Sequence, residues 1–249
     1  MQKEKIGYFI LTSLGIIAIT SMFLLAPIEQ NPDYHNFSDI NSFLNTPNFW
    51  NVVSNLPFLL IGLIGIQKLK LFTKNKSQYL LFFLGVSLVA IGSAYYHWNP
   101  NNYTLVWDRL PMTIAFMSLF SIVISEFINL KKGQLLLIPL IILGLLSVLV
   151  WVVFNDLRFY LLVQFVPLLA IPIILVFFKS SYSLTGGYWI LLLAYILAKV
   201  LEHHDSEINE LLSVISGHSL KHLMAAAGIS ILLYTYLKRK RIEVDQEIH

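Results

Sequence analysis

The sequence predicts an all-α fold, a polytopic membrane helical bundle, and three observations carry that prediction. Of 249 residues, 57% are hydrophobic and only 12% are charged, about half the charged share of an ordinary soluble domain. The apolar residues gather into eight runs close to the length of about 20 residues that a bilayer crossing needs. Lys and Arg concentrate in alternate connections between those runs. Unpaired backbone is too costly in hydrocarbon for anything but helices or closed barrels, and the runs lack the two-residue alternation of barrel strands. Cysteine is absent, which excludes disulfides, thiolate metal sites and a Cys nucleophile. A net charge of +3 is too small a surplus to suggest a nucleic-acid partner.

The expected spans lie near residues 7–26, 48–67, 78–97, 107–130, 135–154, 158–178, 185–202 and 218–237. The first follows Met-Gln-Lys-Glu-Lys, as a signal peptide would. Its apolar run of about 20 residues exceeds the usual signal core, and no small-x-small cleavage site clearly precedes Pro27, so it reads as an uncleaved span. The second carries Asn51, Ser54 and Asn55 on one face, a structural polar face of the kind that hydrogen-bonds between helices. The third ends in Tyr95-Tyr96-His97-Trp98. The fourth opens at Asp108, with Pro111 in its first turn, where a missing N–H costs little. Glu126 lies eighteen residues beyond Asp108, about 27 Å along a helix, too far to share a site with it. The fifth and sixth add no candidate site. Near the end of the seventh, Lys199 and Glu202 form a local pair three residues apart, and His203-His204-Asp205 reads as a solvated loop. The eighth opens with His218 and His222. No low-complexity stretch or long linker divides the chain, so the expected organisation is a first helix over 1–30, one membrane domain over 31–241 and a short tail over 242–249.

Thirteen of the seventeen Lys and Arg residues then fall on one side: Lys3, Lys5, Lys68, Lys70, Lys74, Lys76, Lys131, Lys132, Lys179, Lys238, Arg239, Lys240 and Arg241. The positive-inside tendency places both termini in the cytoplasm. Arg109, Arg158, Lys199 and Lys221 are the exceptions. His249 is in the tail, and the other histidines, His35, His97, His203, His204, His218 and His222, map to the non-cytoplasmic side.

Topology therefore brings His97, Asp108, His218 and His222 to one depth. Ionisable groups in spans are expensive and normally face the bundle interior at a functional site. His218 and His222 stand one turn apart on one helix face, a spacing that lets two imidazoles bind one metal ion. Alone, the pair is as readily explained by hydrogen bonds to neighbours, and the Tyr-Tyr-His-Trp run also fits an aromatic interface belt. Ser93, His97 and Asp108 at the same level favour the metal. Three histidines plus water make the open, catalytic kind of zinc site, and without cysteine only His and carboxylate remain as strong ligands.

Taken in order, Phe49-Trp50-Asn51 with Ser54-Asn55, Gly92-Ser93 with Tyr96-His97, Asp108 with Pro111-Met112, and His218 with His222 and Ala226 resemble the alkaline ceramidase family over about residues 33–240. That family belongs to a superfamily of seven-helix membrane hydrolases that includes the progestin and adiponectin receptors. The resemblance implies a seven-helix core with the first span as an addition, and a zinc ion held by His97, His218 and His222. It implies an intramembrane lipid amide hydrolase, cleaving ceramide or a related N-acyl sphingoid lipid to fatty acid and free amine with a zinc-activated water. Asp108 would accept the water's proton and help return one to the amine, while Ser93 would hydrogen-bond the carbonyl oxygen as charge develops. The partner is a membrane lipid substrate, with no obligatory protein partner, and the active site faces the non-cytoplasmic side.

The chain departs from the family at several positions. Where the family has an acidic calcium-binding segment, Asn31 to Asn48 offers Asp33, Asn36 and Ser38 as a weak calcium site, with Asp39 nearby and Asn48 where Glu is common. Calcium wants several hard oxygens and gains affinity from charge, so tight calcium binding is not expected. Lys221 stands where the family often has Trp, and Arg109 where an acidic residue is common, which bears on the substrate more than on the metal. Two alternatives remain: a lipid esterase or phospholipase of the same superfamily, and a non-enzymatic receptor or sensor with the metal as a clamp. The eight residues after Arg241 leave the second little room for a signalling region.

Overall fold

Apolar runs punctuated by Asn, Gly and Pro fold as helices throughout the computed structural model, which describes residues 2–72 and 74–242. Most of the expected tail, with His249, lies outside the described residues. The helices are α1 (Gln2–Leu24), α2 (Phe49–Val53), α3 (Leu56–Gln67), α4 (Lys76–Trp98), α5 (Asn102–Phe127), α6 (Leu130–Phe154), α7 (Arg158–Phe177), α8 (Gly186–His203), α9 (Asp205–Leu212) and α10 (Gly217–Lys238). Among the described residues, α1, the α2–α3 pair, α4, α5, α6, α7 and α10 are long and apolar enough to cross a bilayer. The chain is an integral membrane protein. The expected span at 185–202 becomes α8, which is not among those seven because Lys199, Glu202 and His203 dilute its apolar content. It still runs antiparallel along α10 from end to end: Gly187 packs on Thr235 at one end, and Gly217 on the Leu201 carbonyl at the other.

Two helix boundaries differ from the sequence expectation for local chemical reasons. The expected fourth span, 107–130, begins earlier, at Asn102. Asn101 caps it, its side chain accepting from the Tyr103 and Thr104 amides at 2.9 and 3.0 Å, so Pro111 lies inside the helix rather than in its first turn. It ends at Phe127, and Asn129 caps α6 by accepting from the Lys132 amide at 3.0 Å. The expected second span is broken at Ser54-Asn55, because Pro57 has no N–H for the Val53 carbonyl. Asn55 Nδ2 instead donates to the Asn51 carbonyl at 2.8 Å.

The order of packing is α3 on α4, α4 on α5, α5 on α6 and α7, with α10 bridging α3 and α8. α1 packs on α7, where Gly7 fits against Phe177 and Phe178. The end of α1 is clasped by Arg158, whose Nη1 donates to the Met22 carbonyl at 2.9 Å, and by Asp156, which accepts from the Ile28 amide at 3.3 Å. At the end of the bundle remote from the histidines, the carboxylate of Glu126 is fully enclosed. Arg239 donates to both of its oxygens at 2.6 and 2.7 Å, joined by the hydroxyls of Tyr79 at 2.5 Å and Tyr188 at 2.8 Å. A buried ion pair persists only when its hydrogen-bonding capacity is met in this way, and this one ties α4, α5 and α8 to the residue after α10.

Candidate functional site

The approach of α4 to α5 begins with a proline. Pro111 leaves the Trp107 carbonyl without its usual helical donor, and Gly92 of α4 lies directly on that carbonyl. A Cβ at position 92 would sit 1.9 Å from the Trp107 oxygen and 3.3 Å from Asp108 Cα. Backbone-to-backbone contact at this point sets the next residue of each helix, the buried Ser93 and the cavity-lining Asp108, side by side.

One turn further along α4, His97 meets the two histidines of α10. Ring centroids are 4.8 Å apart for His97 and His218, 5.1 Å for His97 and His222, and 5.0 Å for His218 and His222. Each ring offers a nitrogen within 4.8 Å of the others, and all three are buried. His222 Nδ1 is hydrogen-bonded to Ser54 Oγ at 2.8 Å, which leaves Nε2 for another partner. His97 Nδ1 and His218 Nε2 are buried without any hydrogen-bond partner among the described residues. Buried polar atoms are rarely left unsatisfied; three neighbouring imidazoles with free nitrogens fit a divalent cation of the zinc class. Phe37 covers the cluster, its ring 4.6 Å from both His97 and His218.

The mounting of these rings comes from Asn51, on the expected polar face of the second span, and from residues to which the sequence reading gave other roles or none. The first amides of a helix need acceptors, and α10 finds them in Asp205 and Ser216. Asp205 Oδ1 accepts from the His218 amide at 2.6 Å, while its Oδ2 accepts from the Ser38 amide at 3.0 Å. Ser216 Oγ accepts from the Ser219 amide at 3.3 Å. Asp205 is thus not part of a solvated loop; it opens α9, beside the exposed His203 and His204. Asn51 Oδ1 accepts from Ser219 Oγ at 2.6 Å, and Asp39, 0% exposed, accepts from the Asn51 amide at 3.0 Å. Asn48 Nδ2 donates to the His97 carbonyl at 2.8 Å. The orphan amides of α10 were the only signal for Asp205; nothing in periodicity points to Asp39, Asn48 or Phe37.

In the segment before α2, several of the oxygens expected of a weak calcium site have protein donors. Asp33 Oδ1 accepts from Asn36 Nδ2 at 3.2 Å, and Ser38 gives its amide to Asp205 and its carbonyl to Asn209 Nδ2 at 3.2 Å. Asp39 is turned to Asn41 and Asn51.

Beneath the histidines lies a cavity of about 510 Å³, with Ser93, Asp108 and His222 in its upper wall. Phe58, Val86, Leu119, Ile171 and Ile229 line it further down, as far as Tyr188. From Asp108 to Leu119 the helix rises about 16 Å. Tyr34, Arg109, Lys199, Glu202 and Lys221 line the same cavity. Lys199 does pair with Glu202, at 2.6 Å, and Lys221 joins from α10 on the other carboxylate oxygen, also at 2.6 Å.

A family model described as Ceramidase matches residues 44–247. The comparison with curated proteins gives no match.

Proposed function

The chain belongs to the ceramidase family, and from that premise we propose that it is a zinc-dependent membrane amidase cleaving ceramide or a related N-acyl sphingoid lipid to fatty acid and free amine. The observation that carries this reading is the buried triad of histidines beside Ser93 and Asp108 at the head of an apolar cavity. His97, His218 and His222 would hold the ion, which when bound supplies Lewis acidity and lowers the pKa of a water toward neutrality. Asp108 takes the proton of the attacking water and gives one back to the departing amine, the two halves of general acid–base work. Ser93 donates a hydrogen bond to the carbonyl oxygen as negative charge grows there. The apolar wall below holds the acyl chain.

The Lys and Arg distribution supports cytoplasmic termini with the histidine end facing the opposite compartment. The family match begins at residue 44, beyond α1, which supports treating α1 as an addition to a core over 31–241. The test is incubation of purified protein with ceramide and with an ester of the same acyl chain, followed by mass spectrometry of the products. Release of sphingoid base from the amide is expected. Cleavage of the ester alone, or of neither lipid, would overturn the amidase reading.

A further inference from the structure

The cavity mouth carries a cation that hydrolysis of a neutral amide does not require. Arg109 follows Asp108 on α5, is only 6% exposed, and lines the cavity. Its guanidinium is held between two rings, 4.2 Å from the Trp151 centroid and 4.7 Å from that of Tyr160. Nη2 donates to Gln30 Oε1 at 2.7 Å, whereas Nη1 is buried with no hydrogen-bond partner among the described residues. Among the described residues Arg109 forms no ion pair. The other two cations of the lining, Lys199 and Lys221, share the carboxylate of Glu202, and Asp108 and Glu29 line the same cavity.

A buried charge with unused donors is expensive, and contact with aromatic faces offsets only part of that cost. Trp151, Tyr160 and Gln30 fix the guanidinium in place, so its remaining donors form a pre-organised fork of the kind that suits an oxyanion. With the acyl chain in the apolar depth and the amide at Ser93 and Asp108, the amine half of the lipid lies at the mouth.

Resting on the amidase reading above, we propose that the preferred substrate is an N-acyl lipid whose amine half carries an oxyanion, a carboxylate or a phosphate, and that Arg109 is its specificity determinant. Arg109 pairs with that group through its guanidinium and thereby sets the amide against Asp108.

The test compares kcat/KM for three N-acyl compounds of one chain length: neutral ceramide, its phosphate ester and an N-acylglycine. At least one anionic compound is expected to be favoured over ceramide by about tenfold to a hundredfold, the range of a charge-assisted hydrogen bond. Which of the two it is identifies the oxyanion. R109Q should collapse that ratio toward one, and R109K should restore part of it. A merely structural arginine would lower all three rates together and leave the ratio untouched, which overturns the proposal. So does a wild-type enzyme that prefers ceramide, a result that needs no variant to fold. Competition between N-acylglycine, ceramide phosphate and ceramide for the purified protein, read by native mass spectrometry, separates the two readings. Arg109-dependent retention of an anionic lipid without hydrolysis sinks the amidase and keeps the specificity, whereas ceramide hydrolysis with no anionic preference does the reverse. Absence of both hydrolysis and anionic preference overturns both.

Discussion

His222 can face a cation with only one nitrogen, because Ser54 holds the other at 2.8 Å. Partners of this kind typically change metal affinity by about tenfold to a hundredfold, so Ser54→Ala should weaken zinc binding by that factor in a chelator competition while His222→Ala removes it. Asp108→Asn should keep the metal and slow turnover by about 10²-fold to 10⁴-fold, the usual weight of a general base. Acidification acts on the same rings: a histidine ligates only without its proton, so activity should fall as pH drops. Full turnover well below about pH 5 would contradict three-histidine ligation. At this scale the sequence was informative where chemistry follows spacing, as with His218 and His222 one turn apart. It set Asp39 beside a weak calcium segment and Asp205 in a solvated loop, because both act through backbone amides of other segments, and it showed Arg109 only as a departure from a pattern.

Gly92 shows what an element contributes that no single side chain does. A methyl group there would meet the Trp107 carbonyl at 1.9 Å, and backbone cannot step aside as a side chain can. Gly92→Ala should cost about 1–3 kcal/mol in thermal unfolding and lower turnover by parting Ser93 from Asp108, with zinc content largely kept. At the junction of α1 with α7, hydrogen bonds from Arg158 hold the Asp156 carboxyl down at about 2, from an ordinary 3.8. A carboxylate with a depressed pKa stabilises the fold above its unfolded value and loses that contribution as pH falls through the folded one. Proteolysis near Pro27 should therefore be unchanged above pH 4 and increase between about pH 4 and pH 2. The helices themselves were legible because apolar length decides them. The break at Pro57 and the early start of α5 were not, since both turn on which backbone group lacks or finds a partner.

Across the whole molecule, polarity is divided between two ends of one bundle, with Glu126 and Arg239 enclosed at one and the histidines at the other. Breaking one partner of a buried pair typically costs about 3–5 kcal/mol, so Arg239→Met should destabilise the protein by that amount yet leave its metal content intact when folded. The division was readable from the placement of Lys, Arg and His. The closing of Arg239 onto Glu126 was not, because the two are distant in sequence and Arg239 stood only as one of thirteen Lys and Arg residues on one side. The central claim is that the three histidines hold the ion on which hydrolysis depends. Zinc content and fatty-acid release from an N-acyl lipid, measured on the same purified samples before chelation, after it and after zinc is restored, test it most directly. About one zinc per chain is expected for a single three-histidine site, with release lost on chelation, regained with zinc, and absent in His97→Ala, His218→Ala and His222→Ala. Undiminished release from zinc-free protein would contradict it.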